Sequence, residues 1–371
     1  MSLAERLRYA RSVMNLTLAE VAERTGLGLS TLSDFETAKR EPKLSQLKQL
    51  ADEYKRSIGF FLDEAELQPE VVLWRARPTS PQAEEVQAQV LELAEQYHNL
   101  ETWCGDRQEL ELPIVSGDPD TFVYLDAEKL AHRVRNELGL GERPGQTLLR
   151  VLEEVCKIKV FHLAFEPTGS AACTLSERYG AAILLNSRNV RWRRNFDLAH
   201  ELFHLLTWRV FRQPCSAPFV EPTEKEEKLA TCFASNLLMP RDALRLAVST
   251  QLGDRTRLGF DALFEIARQF DVSLEALLWR MSFVYRIPKE RVHELLDQFH
   301  AQVSFWDDRE RDTPPARPLR FQALARQALR KGMISTGRYA AYLGISRGEA
   351  MQIVQQDANE DAEVEVADPR C

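Results

Sequence analysis

Apolar residues recur at helical spacing over most of this chain, and the places where that rhythm breaks divide it into segments. Leu3, Leu7 and Ala10 open with helical spacing, and Thr17 is placed to cap a second helix carrying Leu18, Val21 and Ala22. Thr25-Gly26-Leu27-Gly28 interrupts that pattern; Ser30 is then positioned to cap a third helix with Leu32 and Phe35. After the Glu41-Pro42 break, Leu44, Leu47, Leu50 and Ala51 mark a fourth. Residues 1–62 are therefore expected to form a bundle of five short helices. Helix, glycine turn and capped helix together make a helix-turn-helix plan.

Pro69, Pro78 and Pro81 make 63–81 an extended connector. From Gln82 to Cys104, Val86, Val90, Leu93, Tyr97 and Leu100 recur at alternating steps of four and three, predicting a long amphipathic helix. Its stripe would pack on the chain's own core or form the seam of a homodimer. Helical segments are expected from Ala127 to Leu138 and Thr147 to Cys156. Three β-rich stretches follow, Ile158–Phe165, Ala172–Leu175 and Gly180–Asn186, read as a small antiparallel sheet. Beyond Phe196 the pattern is helical to about Val354, interrupted by a charged, proline-rich stretch from Trp306 to Pro318. Phe321–Val354 again reads helix, Gly344-Ile345-Ser346 turn, helix; it has the outline of a second helix-turn-helix but is taken as a helical cap on the protease. The expected divisions are 1–62, 63–115, 116–305, 306–318, 319–356 and an acidic disordered tail, 357–371.

Composition narrows the class. With 44% hydrophobic and 28% charged residues the chain reads as globular rather than disordered. No apolar run approaches the roughly 20 residues of a membrane span, and residues 1–16 lack a signal-peptide core, so a cytoplasmic protein without membrane contact is expected. Six cysteines without a C-x-x-C pair suggest reduced thiols rather than a thiolate metal cluster. The net charge of −8 is uneven: Asp357–Cys371 holds six acidic residues against Arg370 alone, whereas residues 1–62 hold ten Lys/Arg against eight Asp/Glu. The end that could touch DNA is mildly basic.

The sharpest chemical signal is His200-Glu201-Leu202-Phe203-His204, inside the apolar helical run Phe196–Leu206. Positions i and i+4 share a helix face, so both imidazoles can reach one zinc ion, with Glu201 beside it. Zinc held by neutral imidazoles lowers the pKa of a bound water towards ~7, and the adjacent carboxylate can take its proton during attack on a peptide carbonyl. By chance such a motif would arise only about 0.01 times in a chain of this composition. A third protein ligand is needed, and Glu224, Glu226 and Glu227 are on offer. Glu227 is in register with the small residues Ala230 and Ala234 and should point inward. Glu224 shares that face a turn earlier, and Glu226 should point elsewhere.

Two resemblances extend this reading. The run L-T-L-A-E-V-A-E-R-T-G-L-G-L-S-T-L-S-D-F-E-T-A-K-R-E-P resembles the lambda-repressor/Cro-like (XRE) DNA-binding domains. It implies that Leu29, Ser30, Ser33 and Asp34 face the major groove of promoter or operator DNA, with Lys39, Arg40 and Lys43 near phosphates. Ala38 stands where that family usually has Gly, and Leu18 where it usually has Gln. The segments Gly180–Asn186, Arg194–His204 and Glu227-x-x-Ala230-Thr-x-Phe233-Ala234-x-x-Leu237-Leu-Met-Pro240 together resemble the ImmA/IrrE metallopeptidases. That resemblance implies one zinc per chain, with Glu227 as third ligand beside His200 and His204 and Glu201 as the base. Thr231 replaces a common Asn. Zincin-like proteases commonly hold substrate as an added strand, giving Gly180, Ala181, Ala182, Ile183 and Leu184 a role as substrate strand. Tyr179, His98, His132 and His162 are candidate oxyanion donors.

The fold class expected is thus multidomain and mostly α: an all-α helix-turn-helix domain, then an α+β zincin-like metallopeptidase domain with a small sheet and a helical C-terminal region. The function implied is a DNA-binding regulator that cleaves a repressor-like regulatory protein in response to stress, a phage or a mobile element. A non-proteolytic transcription factor using the same fold as a ligand or metal sensor is the alternative.

Overall fold

A computed structural model of the chain describes residues 2–63, 71–75, 82–106, 112–113, 115, 117–212, 221–300 and 312–360. The first five helices are α1 (Leu3–Val13), α2 (Leu18–Thr25), α3 (Leu29–Glu36), α4 (Leu44–Glu53) and α5 (Ile58–Leu62). Two capping boxes set their starts: Ser2 and Thr17 accept from the backbone N–H of Glu5 and Glu20, and each glutamate accepts from the cap's own N–H. Gly26, at φ +69°, ends α2 in the left-handed conformation that glycine tolerates. One expectation fails here. Gly28, not Ser30, occupies the cap position of α3, and Ser30 lies exposed in its first turn. Leu7, Val21, Leu32, Phe35, Leu50 and Phe60 fill the core, while the Arg11 guanidinium forks onto Glu36 at 2.7 and 2.9 Å and ties α1 to α3.

The connector is not merely extended. Val72–Trp74 forms β1, which pairs antiparallel with the strand at Ala171–Ser176; the apolar run at Val71–Trp74 outweighs the flanking prolines. Next come α6 (Gln82–Cys104), α7 (Tyr124–Glu137), a 3-10 turn at Pro144–Gln146, α8 (Leu148–Glu154), β2 (Lys159–Leu163), β3 (Ala171–Ser176) and β4 (Gly180–Asn186). The sheet order is β1-β3-β4-β2. It is mixed rather than antiparallel, because β2 runs parallel to β4 while β3 and β4 form a hairpin.

Both faces of the sheet are covered, which is why β4 is almost wholly apolar. Ala181, Ile183 and Leu185 face one core, together with Leu73 and Cys173; Ala182 and Leu184 face the other, with Val72 and Trp74. The first core is closed by α9 (Arg191–Leu206), α10 (Trp208–Phe211), α11 (Glu224–Leu238), α12 (Arg241–Leu252), α13 (Phe260–Phe270), α14 (Leu274–Tyr285) and α15 (Lys289–His300). The second is closed by α6 with α16 (Leu319–Arg330), α17 (Thr336–Leu343) and α18 (Arg347–Glu360). The apolar stripe of α6 is consumed inside the chain, where Tyr97 and Leu100 are fully buried and Phe321 meets Tyr97 edge-on at 5.3 Å. That stripe is therefore unavailable as a homodimer seam.

Two other expectations shift. Helix α18 runs on to Glu360, into the stretch taken as disordered tail from 357; residues 361–371 lie outside the described residues, as do 301–311 of the charged linker. The linker's far end is docked, with Asp312 gripping Arg194 through both carboxylate oxygens at 2.6 and 2.7 Å. Among the described residues no helix is long and apolar enough to cross a membrane.

Candidate metal centre

Helix α9 lies between the sheet and α11, so nearly every residue from Arg194 to Leu206 is buried. Helical spacing puts His200 and His204 on one face with ring centroids 5.1 Å apart. Thr223 caps α11 by accepting from the Glu226 N–H, and the first turn of α11 then reaches over α9. Ala230 and Ala234 are fully buried, and their small side chains permit that approach. Ligand atoms of His200, His204 and Glu227 all fall within 4.8 Å of one another. His200 Nε2 is 3.1 Å from Glu227 Oε2; His204 Nε2 comes within 3.3 Å of Glu227 Oε1 without hydrogen-bond geometry.

Glu224 is exposed and paired with Lys228. Glu226 departs from expectation: it is buried, and its Oε1 accepts from His204 Nδ1 at 2.8 Å. The Arg212 guanidinium grips the same carboxylate at 2.7 and 2.9 Å. A clue was present in the sequence, since Glu226 is in register with Ala230, Phe233 and Leu237, an inward stripe as good as that of Glu227. Arg75, just after β1, was missed too. Its guanidinium meets Asp197 at 2.6 Å, fixing the connector to α9 one turn before Glu201. No local pattern announces a contact between residues so far apart in sequence.

Glu201 is 1% exposed, and its Oε1 has no hydrogen-bond partner among the described residues. Burial lifts its pKa to about 7, opposed by the His204 charge and by a hydrogen bond from the Cys173 thiol on β3. A carboxylate so placed accepts a proton near neutral pH. Burial pushes His200 down to about 3. Burial also disfavours a charged His204, yet its hydrogen bond to Glu226 and the close approach of Glu227 outweigh it and lift the pKa to about 9. Glu227 falls to about 2, because its contacts with both imidazoles outweigh its burial. This pocket therefore demands positive charge between imidazole nitrogens and carboxylate. A divalent cation meets that demand while leaving both imidazoles neutral, so the donor set fits a metal.

The expected substrate strand does not survive. Gly180, Ala181, Ala182, Ile183 and Leu184 belong to β4, which is hydrogen-bonded to β3 on one side and β2 on the other, so it offers no edge to a peptide. The edges are β1 and β2. Of the oxyanion candidates, Tyr179 is buried in the core on the α6 side, His98 is half-buried on α6, His132 is exposed on α7, and His162 is buried beside Arg194. None belongs to the metal-ligating cluster.

In the N-terminal bundle, Leu29 and Ser30 are exposed at the start of α3, with Ser33 and Asp34 half-buried one turn on. Lys39, Arg40 and Lys43 are exposed in the turn leading to α4; Asp34 C=O accepts from the N–H groups of Lys39 and Arg40, so the turn is folded against α3. Ala38 has φ +57°, the left-handed conformation for which glycine is the usual residue.

No curated protein matches the chain. Two family models do. Residues 7–61 match the helix-turn-helix family, and residues 153–282, which carry α9 and α11, match the peptidase M78 family described as the IrrE N-terminal-like domain. The chain thus carries a helix-turn-helix domain followed by an IrrE-like peptidase-family domain.

Proposed function

We propose that the protein is a cytoplasmic DNA-binding regulator with zinc-dependent endopeptidase activity that cuts a repressor-like regulatory protein. The convergence of His200, His204 and Glu227 beside a buried, unpaired Glu201 oxygen carries this reading. His200, His204 and Glu227 would hold one zinc ion, with the helix-turn-helix at 1–62 and the peptidase unit at 116–305. When bound, zinc supplies Lewis acidity for a peptide carbonyl and an acidified water. Glu201 would take the proton of the attacking water at Oε1 and pass it to the leaving amine. Glu226 holds His204 so that Nε2 points inward, and Arg212 keeps Glu226 ionised. Leu29, Ser30, Ser33 and Asp34 would meet base edges, with Lys39, Arg40 and Lys43 on phosphates.

Metal analysis and one substitution test the reading. The purified chain should hold about one zinc per molecule, and His204→Ala should lose it. Glu201→Gln should keep both zinc and DNA binding yet fail to cut a repressor-like protein that the parent cleaves. Unchanged cleavage in that variant refutes the mechanism. Zinc without cleavage in the parent would favour a metal or ligand sensor instead.

A further inference from the structure

Helices α16–α18 repeat the local plan of α1–α3. Thr17 and Ser335 each cap a helix of eight residues, α2 and α17. Each helix ends on a left-handed glycine, Gly26 at φ +69° and Gly344 at φ +68°. In both units the next helix opens at the third residue after that glycine, at Leu29 and at Arg347. The offset that carries Gly26 onto Gly344 also carries buried positions onto buried ones: Leu7 onto Ala325, Ala10 onto Ala328, Leu16 onto Ile334, Val21 onto Tyr339 and Leu32 onto Ala350. Helix, glycine turn and second helix are therefore in the same register in both units.

Charge distinguishes the copies. Residues 319–356 contain six Lys/Arg against Glu349 alone, far more basic than the N-terminal bundle, in a chain whose net charge is −8. Arg320 is buried in ion pairs with Glu101 and Asp106, Lys331 donates to the Cys104 C=O at 3.1 Å, and the Arg338 guanidinium lies over the Trp103 and Tyr342 rings. Arg326, Arg330, Lys331, Arg338 and Arg347 are exposed. The start of α18 is also exposed. Arg347, Gly348, Met351 and Gln352 stand at the surface where the first unit has Leu29, Ser30, Ser33 and Asp34, and only Ala350 in that turn is fully buried. Arginine and glutamine are the side chains that fork onto guanine and adenine in the major groove. The acidic Asp34 of the first unit has a neutral counterpart here.

We infer that α16–α18 form a second DNA-binding unit, with the start of α18 entering the major groove and Arg326, Arg330, Lys331 and Arg338 meeting phosphates. The chain would hold duplex DNA at both ends, with the metal centre between them in sequence. Each phosphate neutralised releases counterions and adds about −0.9 to the slope of log affinity against log salt.

The test uses the full chain and a fluorescein-labelled 40-base-pair duplex of random sequence, titrated by anisotropy across a series of salt concentrations. Arg330→Ala/Arg347→Ala should weaken binding and flatten the salt slope by about 2. Lys39→Ala/Arg40→Ala/Lys43→Ala should flatten it independently, and the combined variant should show the sum. The inference is overturned if the C-terminal pair leaves affinity and slope at parental values, or if it alters only self-association by light scattering. Loss of effect in the N-terminal variant alone would instead count against the first DNA-binding surface. A thermal midpoint within about 2 °C of the parent certifies the fold, and Arg347→Gln alone serves should the double variant fail that check.

Discussion

Glu226→Ala removes the hinge between the proposed metal ligands and their support. In the parent its carboxylate accepts from His204 Nδ1 at 2.8 Å and from Arg212 at 2.7 and 2.9 Å, with both Glu226 and His204 only 1% exposed. Taking away one partner of a buried ion pair leaves Arg212, whose side chain is 8% exposed, as an uncompensated cation, a cost of about 3–5 kcal/mol. The orphaned His204 N–H costs about 1–3 kcal/mol, overlapping with the first figure because both losses belong to one network. Urea unfolding should therefore show a net destabilisation of about 3–5 kcal/mol. Zinc affinity, read by competition with a chromogenic chelator, should fall by about 10- to 100-fold, because the second nitrogen of a ligating imidazole sets its orientation. The double variant Glu226→Leu/Arg212→Met separates the two effects: stability should largely return, since no arginine is left buried without its carboxylate, while zinc affinity stays low. If Glu226→Ala leaves unfolding within about 0.5 kcal/mol of the parent and zinc affinity unchanged, the relay has no role.

Two further outcomes follow from the backbone and from burial. Ala38→Gly should stabilise the N-terminal bundle by about 0.5–1 kcal/mol, because relief of the left-handed conformation exceeds the entropy glycine adds to the unfolded chain; a lower thermal midpoint would refute this. Burial raises Glu153 from 4.5 to about 7, so its contribution to stability is complete below about pH 4.5 and is lost as pH rises through 7. Glu153→Gln should therefore raise the thermal midpoint at pH 8 but not at pH 5, with about 3 kcal/mol as the upper bound at the higher pH; equal shifts at both would contradict the assignment.

What the sequence disclosed depended on how local the cause was. The limits of α6 at Gln82 and Cys104 follow from Pro81 and Gly105 around an unbroken stripe, and β4 is bounded by a glycine and an asparagine. His200 and His204 share a face because helical geometry alone puts them there. The sheet was another matter. Pairing between β1 and β3 joins residues about a hundred apart in the chain, and the parallel alignment of β2 with β4 depends on which side of the hairpin β2 lands, which no neighbouring residue records. Interior placement of β4 then removed its expected role. Glu226 shows a subtler limit. Adjacent residues at the start of α11 both face α9, which crosses close by, so the choice between Glu226 and Glu227 was between a buried and a half-buried position rather than one buried and one exposed.

The β3–β4 turn is clamped at its tip by Arg178, which meets Glu95 at 2.8 Å and lies over the Phe60 ring of α5 at 5.7 Å; Ser57 donates to the same Glu95 oxygen at 2.7 Å. Further along β3, Cys173 meets Glu201. One hairpin thus touches the helix-turn-helix bundle at one place and the proposed proton acceptor, Glu201, at another, a lever with a load at each end. Thermodynamic reciprocity makes such a lever two-way: by whatever factor DNA at the bundle would change the affinity of the His200–His204–Glu227 site for its ligand, that ligand must change the affinity for DNA by the same factor.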